Sequence, residues 1–135
     1  MSGSIPRPPI ARLMMIQIDC PDPERLAAFW AEVLAVEIDR RLGDPPQYVS
    51  LMPAGVGVPP LWFQRVPEPK VAKNRLHLDL QVEDIEAACA RIEALGGRRR
   101  DDHDFQGYHD EGAPGFDWRR MADPEGNEFC LVYRV

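Results

Sequence analysis

The residues best suited to do chemistry occupy alternating positions in two short segments. His77, Asp79 and Gln81 alternate with apolar residues in one segment, and Gln17 and Asp19 do so in the other. A histidine can act as a general base or hold a carbonyl or carboxylate by a hydrogen bond, and an aspartate two residues on can orient it. A histidine that only satisfies its polar neighbours is a roughly equal alternative, which stays open.

Both segments are predicted to be β-strands, because side chains of a strand point alternately to opposite faces of the sheet. His77, Asp79 and Gln81 then share one face, while Leu78 and Leu80 face the other way. A shift of one residue would expose the leucines and bury unpaired carboxylates, so this orientation is strongly favoured.

The two segments begin two copies of one pattern. An offset of 62 residues relates Met15 to His77, and it also relates Asp22 to Asp84, the predicted N-cap residues of two helices. The apolar stripes of these helices match at the same offset. They consist of Pro23, Leu26, Ala27, Trp30 and Val33 in the first helix and Ile85, Ala88, Cys89, Ile92 and Leu95 in the second.

This repeat predicts an α+β fold with two paired βαβββ modules that form a curved mixed sheet around a cup, with the helices outside. We expect a flexible N-terminal arm, residues 1–10, and a single domain, residues 11–135, made of modules 11–66 and 74–135. The first strand is predicted to span residues 11–20. A plain antiparallel sheet with one face in water is the alternative to the cup.

Composition excludes several classes of partner. The chain has 135 residues, a net charge of −6 and a pI near 5.0, so we expect it to bind neither nucleic acid nor a membrane, since both favour a basic surface. Three cysteines are too few for a disulfide framework. With no signal peptide or membrane span visible in the sequence, a cytoplasmic protein is expected.

Three stretches make the chain resemble the vicinal oxygen chelate superfamily, which includes glyoxalases, bleomycin-resistance proteins and extradiol dioxygenases. The similarity is greatest to its small bacterial glyoxalase-like branch. The resemblance implies paired βαβββ modules around a cup and a homodimer. The stretches are residues 18–23 (IDCPDP), 74–79 (NRLHLD) and 123–130 (DPEGNEFC).

The resemblance also implies positions for a divalent metal at the base of the cup, where the superfamily's enzymes use His or Glu from the first and last strands of the modules. The matching positions are Met15, Gln64 (less surely Trp62), His77 and Cys130. Only His77 is a usual ligand type, because Mg²⁺, Mn²⁺ and Fe²⁺ favour oxygen and imidazole ligands over a thioether.

Two further sets of ligands would suit softer metals. Zn²⁺ could take His77 and Cys130, but it would need further ligands such as Asp79 or Glu128. A set of one methionine, one histidine and one cysteine could hold Cu(I), although a single histidine gives this assignment little support. We therefore expect no cofactor, with a divalent metal possible but disfavoured.

Two functions follow as hypotheses: a metal-independent module that binds an unidentified small molecule, or a lyase or isomerase of the glyoxalase-like kind that uses His77 as its acid/base. The segment 101–117 is predicted to be a lid over the cup or a mobile acidic surface loop. Besides His77, the predicted ligand-binding residues are Met15, Gln17, Asp19, Trp62, Gln64, Asp79, Gln81, Cys130 and Tyr108.

Overall fold

The computed structural model describes residues 7–100 and 116–134. In chain order, its elements are β1 (Ile16–Cys20), α1 (Pro23–Leu34), β2 (Ile38–Leu42), β3 (Tyr48–Leu51), β4 (Leu61–Arg65), β5 (Leu78–Gln81), α2 (Ile85–Ala94), β6 (Arg98–Arg99), β7 (Phe116–Ala122) and β8 (Glu128–Arg134).

These elements form two four-stranded mixed sheets with the same topology. The first sheet has the strand order β1-β4-β3-β2 and the second has β5-β8-β7-β6. In each sheet the first strand is parallel to the last, and the remaining pairs are antiparallel. The predicted fold class, an α+β fold with two βαβββ units, is confirmed.

The first strand is shorter than predicted. It begins at Ile16 rather than at Ala11, because its partner strand β4 begins at Leu61 and is preceded by two prolines, which interrupt the hydrogen-bonding pattern of a strand. The Ile16 amide donates to the carbonyl of Pro60 at 3.1 Å, at the limit of the ladder. Met15 and His77 consequently lie immediately before β1 and β5.

Aspartate side chains cap both helices as predicted. A side-chain oxygen of Asp22 accepts from the backbone N–H of Arg25 at 3.2 Å, and Asp84 accepts from that of Ala87 at 3.0 Å. The two helices end differently. Gly96 follows α2 with a φ of +105°, whereas Ala35 takes the left-handed conformation after α1, with a φ of +55°.

The core lies between the helices and the apolar faces of the sheets. Trp30 on α1 joins the two halves: its indole N–H donates to Asp123, between β7 and β8, at 3.1 Å. Its ring also packs edge-on against Phe129 of β8, with ring centroids 4.8 Å apart. The apolar stripe of α1 therefore supports both sheets.

Cys20, Cys89 and Cys130 are buried free thiols. No helix in the described part of the chain is long and apolar enough to span a bilayer.

Candidate functional site

Three of the predicted residues form a compact cluster, which we call the polar triad: His77, Asp79 and Cys130. One ligand atom from each lies within 4.8 Å of the others. Asp79 and Cys130 are direct neighbours across β5 and β8, and His77 precedes β5 by one residue on the same face. Strand alternation and the parallel β5–β8 pairing therefore assemble the triad.

The histidine of the triad is oriented by the aspartate. His77 Nδ1 lies 3.0 Å from a carboxylate oxygen of Asp79, so the carboxylate is beside this ring nitrogen and not beside Nε2. About half of the His77 side chain is exposed. The imidazole can thus hydrogen-bond an incoming ligand through Nε2 while Nδ1 remains tied to Asp79.

The third member of the triad is a protonated thiol. Burial, with the Asp79 carboxylate as the next cause, raises the pKa of Cys130 to about 12. A thiol with such a pKa is a poor nucleophile, because the thiolate is the reactive form. Cys130 can therefore donate a weak hydrogen bond to Asp79, but its environment does not activate it.

Polar residues of the first sheet lie at corresponding positions. Gln17 is the strand neighbour of Trp62, and Asp19 is the neighbour of Gln64. The side-chain amide of Gln17 contacts the sulfur of Met15 at 3.7 Å. The same face that carries the triad in the second sheet thus carries mostly uncharged groups in the first.

The pairing of the strands also shows which residue of β4 corresponds to Cys130. Gln17 and Asp79 are related by the offset of 62 residues, and their partners are Trp62 and Cys130. The equivalent of Cys130 is therefore Trp62, which corrects the preference for Gln64 in favour of the alternative position named with it. An indole is no metal ligand, so the correction leaves the first sheet with even less capacity to bind a metal.

A cavity of about 900 Å³ lies between β1, the start of β5 and the connection that joins the two halves. Gln17 and Asp19 from the first half and His77 from the second all contribute to its lining. Six of the predicted residues are not among its lining residues: Met15, Trp62, Gln64, Asp79, Gln81 and Cys130. Gln81 lies beside Val132 further along the sheet. Tyr108 and most of the predicted lid lie outside the described residues.

The triad does not supply the metal site that the superfamily's enzymes use. Met15 offers a thioether and Cys130 a protonated thiol where a hard divalent cation needs carboxylate or imidazole. The donors of His77, Asp79 and Cys130 are instead nitrogen, oxygen and sulfur, which fit three positions of a tetrahedral Zn²⁺ site once the thiol has lost its proton. The ligand types therefore exclude a good Mg²⁺ or Mn²⁺ site and leave Zn²⁺ as the metal that fits.

Sequence reasoning missed a second polar cluster beside the triad. Glu128 is buried, and its carboxylate contacts Lys73 at 2.8 Å, Arg120 at 3.5 Å and Arg100 at 3.9 Å. Burial alone would raise the pKa of Glu128, but the hydrogen bond from Lys73 and the nearby cationic charges hold it below its ordinary value. Alternation along β6 and β7 could have placed the arginines on one face, but no local signal indicated that Lys73 would reach them.

Comparisons with known proteins agree with this architecture. The sequence profile of the glyoxalase-like domain matches residues 15–132. A comparison with curated protein sequences gives no match. Among solved structures, similar folds are found in antibiotic-resistance and antibiotic-binding proteins.

Three of these structures illustrate the range. The fosfomycin resistance protein FosX from Listeria monocytogenes, complexed with Mn(II) and sulfate, has a TM-score of 0.68 and 15% identity, covering 93% of this chain and 94% of its own. The antibiotic-binding protein TnmS3 from Streptomyces gives 0.65 and 19%, with 96% and 100% covered. A glyoxalase/bleomycin resistance protein from Albidiferax ferrireducens gives 0.58 and 17%, with 90% and 98% covered. At these identities the similarity shows the fold alone.

Proposed function

Because this chain belongs to the glyoxalase-like domain family, we propose that it binds a small molecule in a polar cup to which the polar triad contributes His77, without a catalytic metal. The observation that carries the proposal is the shared cavity of about 900 Å³, to which both halves of the chain contribute polar side chains. Its volume falls within the range of small-molecule sites, roughly 300–1,000 Å³.

The chemistry of the lining indicates how a ligand would be held. His77 Nε2 and the exposed carboxylate of Asp19 accept hydrogen bonds, and the amide of Gln17 both donates and accepts. Ile16, Ile18 and Leu78 contribute apolar surface to the same cavity. We therefore expect a ligand with an apolar body and one or more hydroxyl or amide groups.

The donor set supports a site that works without a metal. Met15 and Trp62 occupy the positions at which the resemblance places metal ligands in the first half, and neither a thioether nor an indole is a usual ligand of a divalent cation. In this site His77 and Asp79 act as hydrogen-bonding groups that orient the ligand.

A lyase or isomerase activity is the second candidate, and the contact of 3.0 Å between His77 and Asp79 favours it. A carboxylate on Nδ1 holds the imidazole in the tautomer in which Nε2 can accept a proton from a substrate, and it stabilises the imidazolium that results. Turnover distinguishes the candidates, since a binding module holds its ligand unchanged.

The proposal is tested by screening a panel of antibiotics and small oxygenated metabolites by ligand-detected NMR, followed by calorimetry on each hit. His77→Ala should weaken binding about tenfold or more by removing a hydrogen bond and part of the site's shape, while Glu83→Ala, an exposed residue outside the cavity, should leave it unchanged. Equal affinity in both variants would refute the site. Product formation that His77→Ala abolishes would favour the enzyme.

Metal content is measured on the same purified protein. Elemental analysis should find no stoichiometric Zn²⁺, Mg²⁺, Mn²⁺, Fe²⁺ or Ni²⁺. One equivalent of such a metal per chain, lost in His77→Ala, would overturn the metal-independent proposal.

A homodimer is part of the same proposal. Among the described residues, 7–100 and 116–134, β1 and β5 each pair on one side only, and exposed apolar residues lie next to them: Leu13, Met14 and Leu76. Unpaired strand edges with apolar neighbours favour association with a second copy. Light scattering should give twice the chain mass of 15.3 kDa at micromolar concentration, and a monomer mass would count against the dimer.

A further inference from the structure

A second cavity, of about 520 Å³, adjoins the first and shares Lys70, Lys73, Glu125 and Glu128 with it, and most of its charged lining residues are basic. We call it the basic pocket. Its charged lining consists of five basic side chains, Lys70, Lys73, Arg98, Arg100 and Arg120, and two acidic ones, Glu125 and Glu128.

We propose that the basic pocket binds a small dianion of the phosphate class. The pocket brings five cations and only two carboxylates together among its lining residues, in a chain whose net charge is −6. A concave site lined by one sign of charge concentrates its field and attracts the opposite charge, even on a protein of like overall charge. Guanidinium groups also match the geometry of phosphate oxygens.

The fold builds the pocket from adjacent strands. Arg98 pairs with Ala122 across β6 and β7, and the Arg100 amide donates to the carbonyl of Arg120 at 2.9 Å, so the arginines come from neighbouring positions of one small sheet region. Strand alternation places Arg98 and Arg100 on the same face. The pocket therefore rests on the rigid sheet.

The connection between the two halves supplies the opposite wall. The Lys73 ammonium donates to Glu128, and the Asn74 side chain accepts from the backbone N–H of Glu128 at 3.2 Å, which holds the connection against the start of β8. Lys70, three residues earlier, lies beside Gly126, and so does Arg98. Lys70 from the connection and Arg98 from β6 therefore approach the same turn, at Gly126, from two sides of the pocket.

Lys73, at 2.8 Å, and two arginines, within 4.0 Å, pair with Glu128. Glu125 contacts Arg25, which is not among the lining residues, at 3.7 Å. Neither Lys70 nor Arg98 forms an ion pair within the part of the chain that the structure describes. Lys70 donates to the carbonyl of Ala72, and because an ammonium has three donors it can also bind an anion together with Arg98.

The first test measures binding of inorganic phosphate at pH 7.5 by calorimetry and by its effect on Tm, with ionic strength held constant by NaCl. Lys70→Gln with Arg98→Gln should weaken phosphate binding about tenfold, because two charge-assisted hydrogen bonds are lost. The control, Arg12→Gln with Arg91→Gln, removes the same charge from exposed positions outside the pocket and should bind phosphate like the unchanged protein. Equal weakening in both pairs would show a general charge effect and overturn the proposal.

Glu128→Gln provides a second, independent test. It removes the carboxylate that competes with the ligand for three cations, so phosphate should raise the Tm of this variant more than that of the unchanged protein. If phosphate binds neither protein, the basic residues serve only Glu128 and the proposal fails. His77→Ala should not alter phosphate affinity, which separates this pocket from the proposed cup.

Glycerol 3-phosphate in the same titration distinguishes the source of the dianion. Affinity equal to that of inorganic phosphate indicates a site for the free ion. Tighter binding indicates a phosphate group carried by a larger molecule. Either result supports the pocket, provided that Lys70→Gln with Arg98→Gln weakens it.

Discussion

The two halves of this chain share one topology and differ in what they carry on it. In the first half, the polar face of the sheet carries Gln17, Trp62 and Gln64, and Asp19 is the acidic residue on that face. In the second half, the same face holds a triad of titratable side chains, and a group of basic residues lies next to it. The repeated backbone therefore copies a scaffold, while the chemistry is concentrated in the second copy.

The helices show the opposite asymmetry, because the helix of the first half buries more residues than the helix of the second. α1 buries Pro23, Leu26, Ala27, Phe29 and Trp30. α2 buries only Ile85, Cys89 and Ile92. The first helix also reaches the second sheet, through the aromatic contact of Phe29 with Phe129, whose ring centroids are 6.3 Å apart. Helix α1 thus packs against residues of both halves, whereas α2 packs against strands β6, β7 and β8 of the second half.

The largest expected effect comes from breaking this asymmetry in the core. Trp30→Ala should lower the free energy of unfolding by about 3–5 kcal/mol, since it removes a fully buried ring and the hydrogen bond to Asp123. Ile92 occupies the equivalent position in α2, and Ile92→Ala should cost about 2–3 kcal/mol. Urea denaturation measures both. A larger loss for Ile92→Ala would contradict the supporting role of α1.

The next effect concerns the buried carboxylate of the second half. Glu128→Gln should lower the free energy of unfolding by about 2–3 kcal/mol at pH 7, because it leaves buried arginine charge less well compensated. The folded-state pKa of Glu128 is depressed, so its stabilisation is present above the unfolded-state pKa and is lost as pH falls through the folded-state pKa. The two proteins should therefore converge in stability as pH falls below the unfolded-state pKa of 4.5. A gap that stays constant down to pH 3 would contradict the ion-pair origin.

These two cases show how much the sequence could predict. The caps, the stripes and the alternation are local patterns, and they were enough for the fold class and for the face on which His77 and Asp79 lie. The contacts of Trp30 with Asp123 and of Lys73 with Glu128 join residues that are 93 and 55 positions apart. No local pattern encodes such contacts, because they depend on how the connection and α1 dock onto the second sheet.

The same distinction explains the errors. The start of β1 depends on where β4 can offer a partner, and two prolines before Leu61 set that limit. The equivalence of Trp62 with Cys130 depends on strand pairing, which a motif comparison could place only to within two residues. Local sequence thus predicted the elements well and their mutual register less well.

A smaller and symmetrical effect is expected at the helix caps. Asp22→Ala and Asp84→Ala each remove one side-chain hydrogen bond to a backbone N–H, so each should cost about 1 kcal/mol. Asp22→Asn and Asp84→Asn, which keep an acceptor, serve as controls. Chemical denaturation followed by circular dichroism should show a single transition for every variant. Two transitions in either alanine variant would show that the halves unfold separately, against the shared core described here.

The smallest effect separates two buried thiols, one in each half. Burial is the main cause that raises the pKa of both Cys20 and Cys130 to about 12. The next cause differs: Glu125 acts on Cys20, whereas Asp79 acts on Cys130. Asp79→Asn should therefore lower the pKa of Cys130 and leave that of Cys20 unchanged.

The pH dependence of iodoacetamide labelling, followed by peptide mass spectrometry, reads the two thiols separately. The folded-state pKa values of both thiols are raised above the unfolded-state value of 9.0. The neutral thiols therefore stabilise the fold below pH 9.0, and this stabilisation is lost as pH rises through the folded-state pKa of about 12. Labelling of both should be slow at pH 8, and in Asp79→Asn the rise for Cys130 alone should move to lower pH. Burial remains in that variant, so the shift should be small. An equal shift for Cys20 would mean that the substitution loosens the whole fold. Asp79 would then be a structural residue of the second half, and not the neighbour whose charge raises the pKa of Cys130.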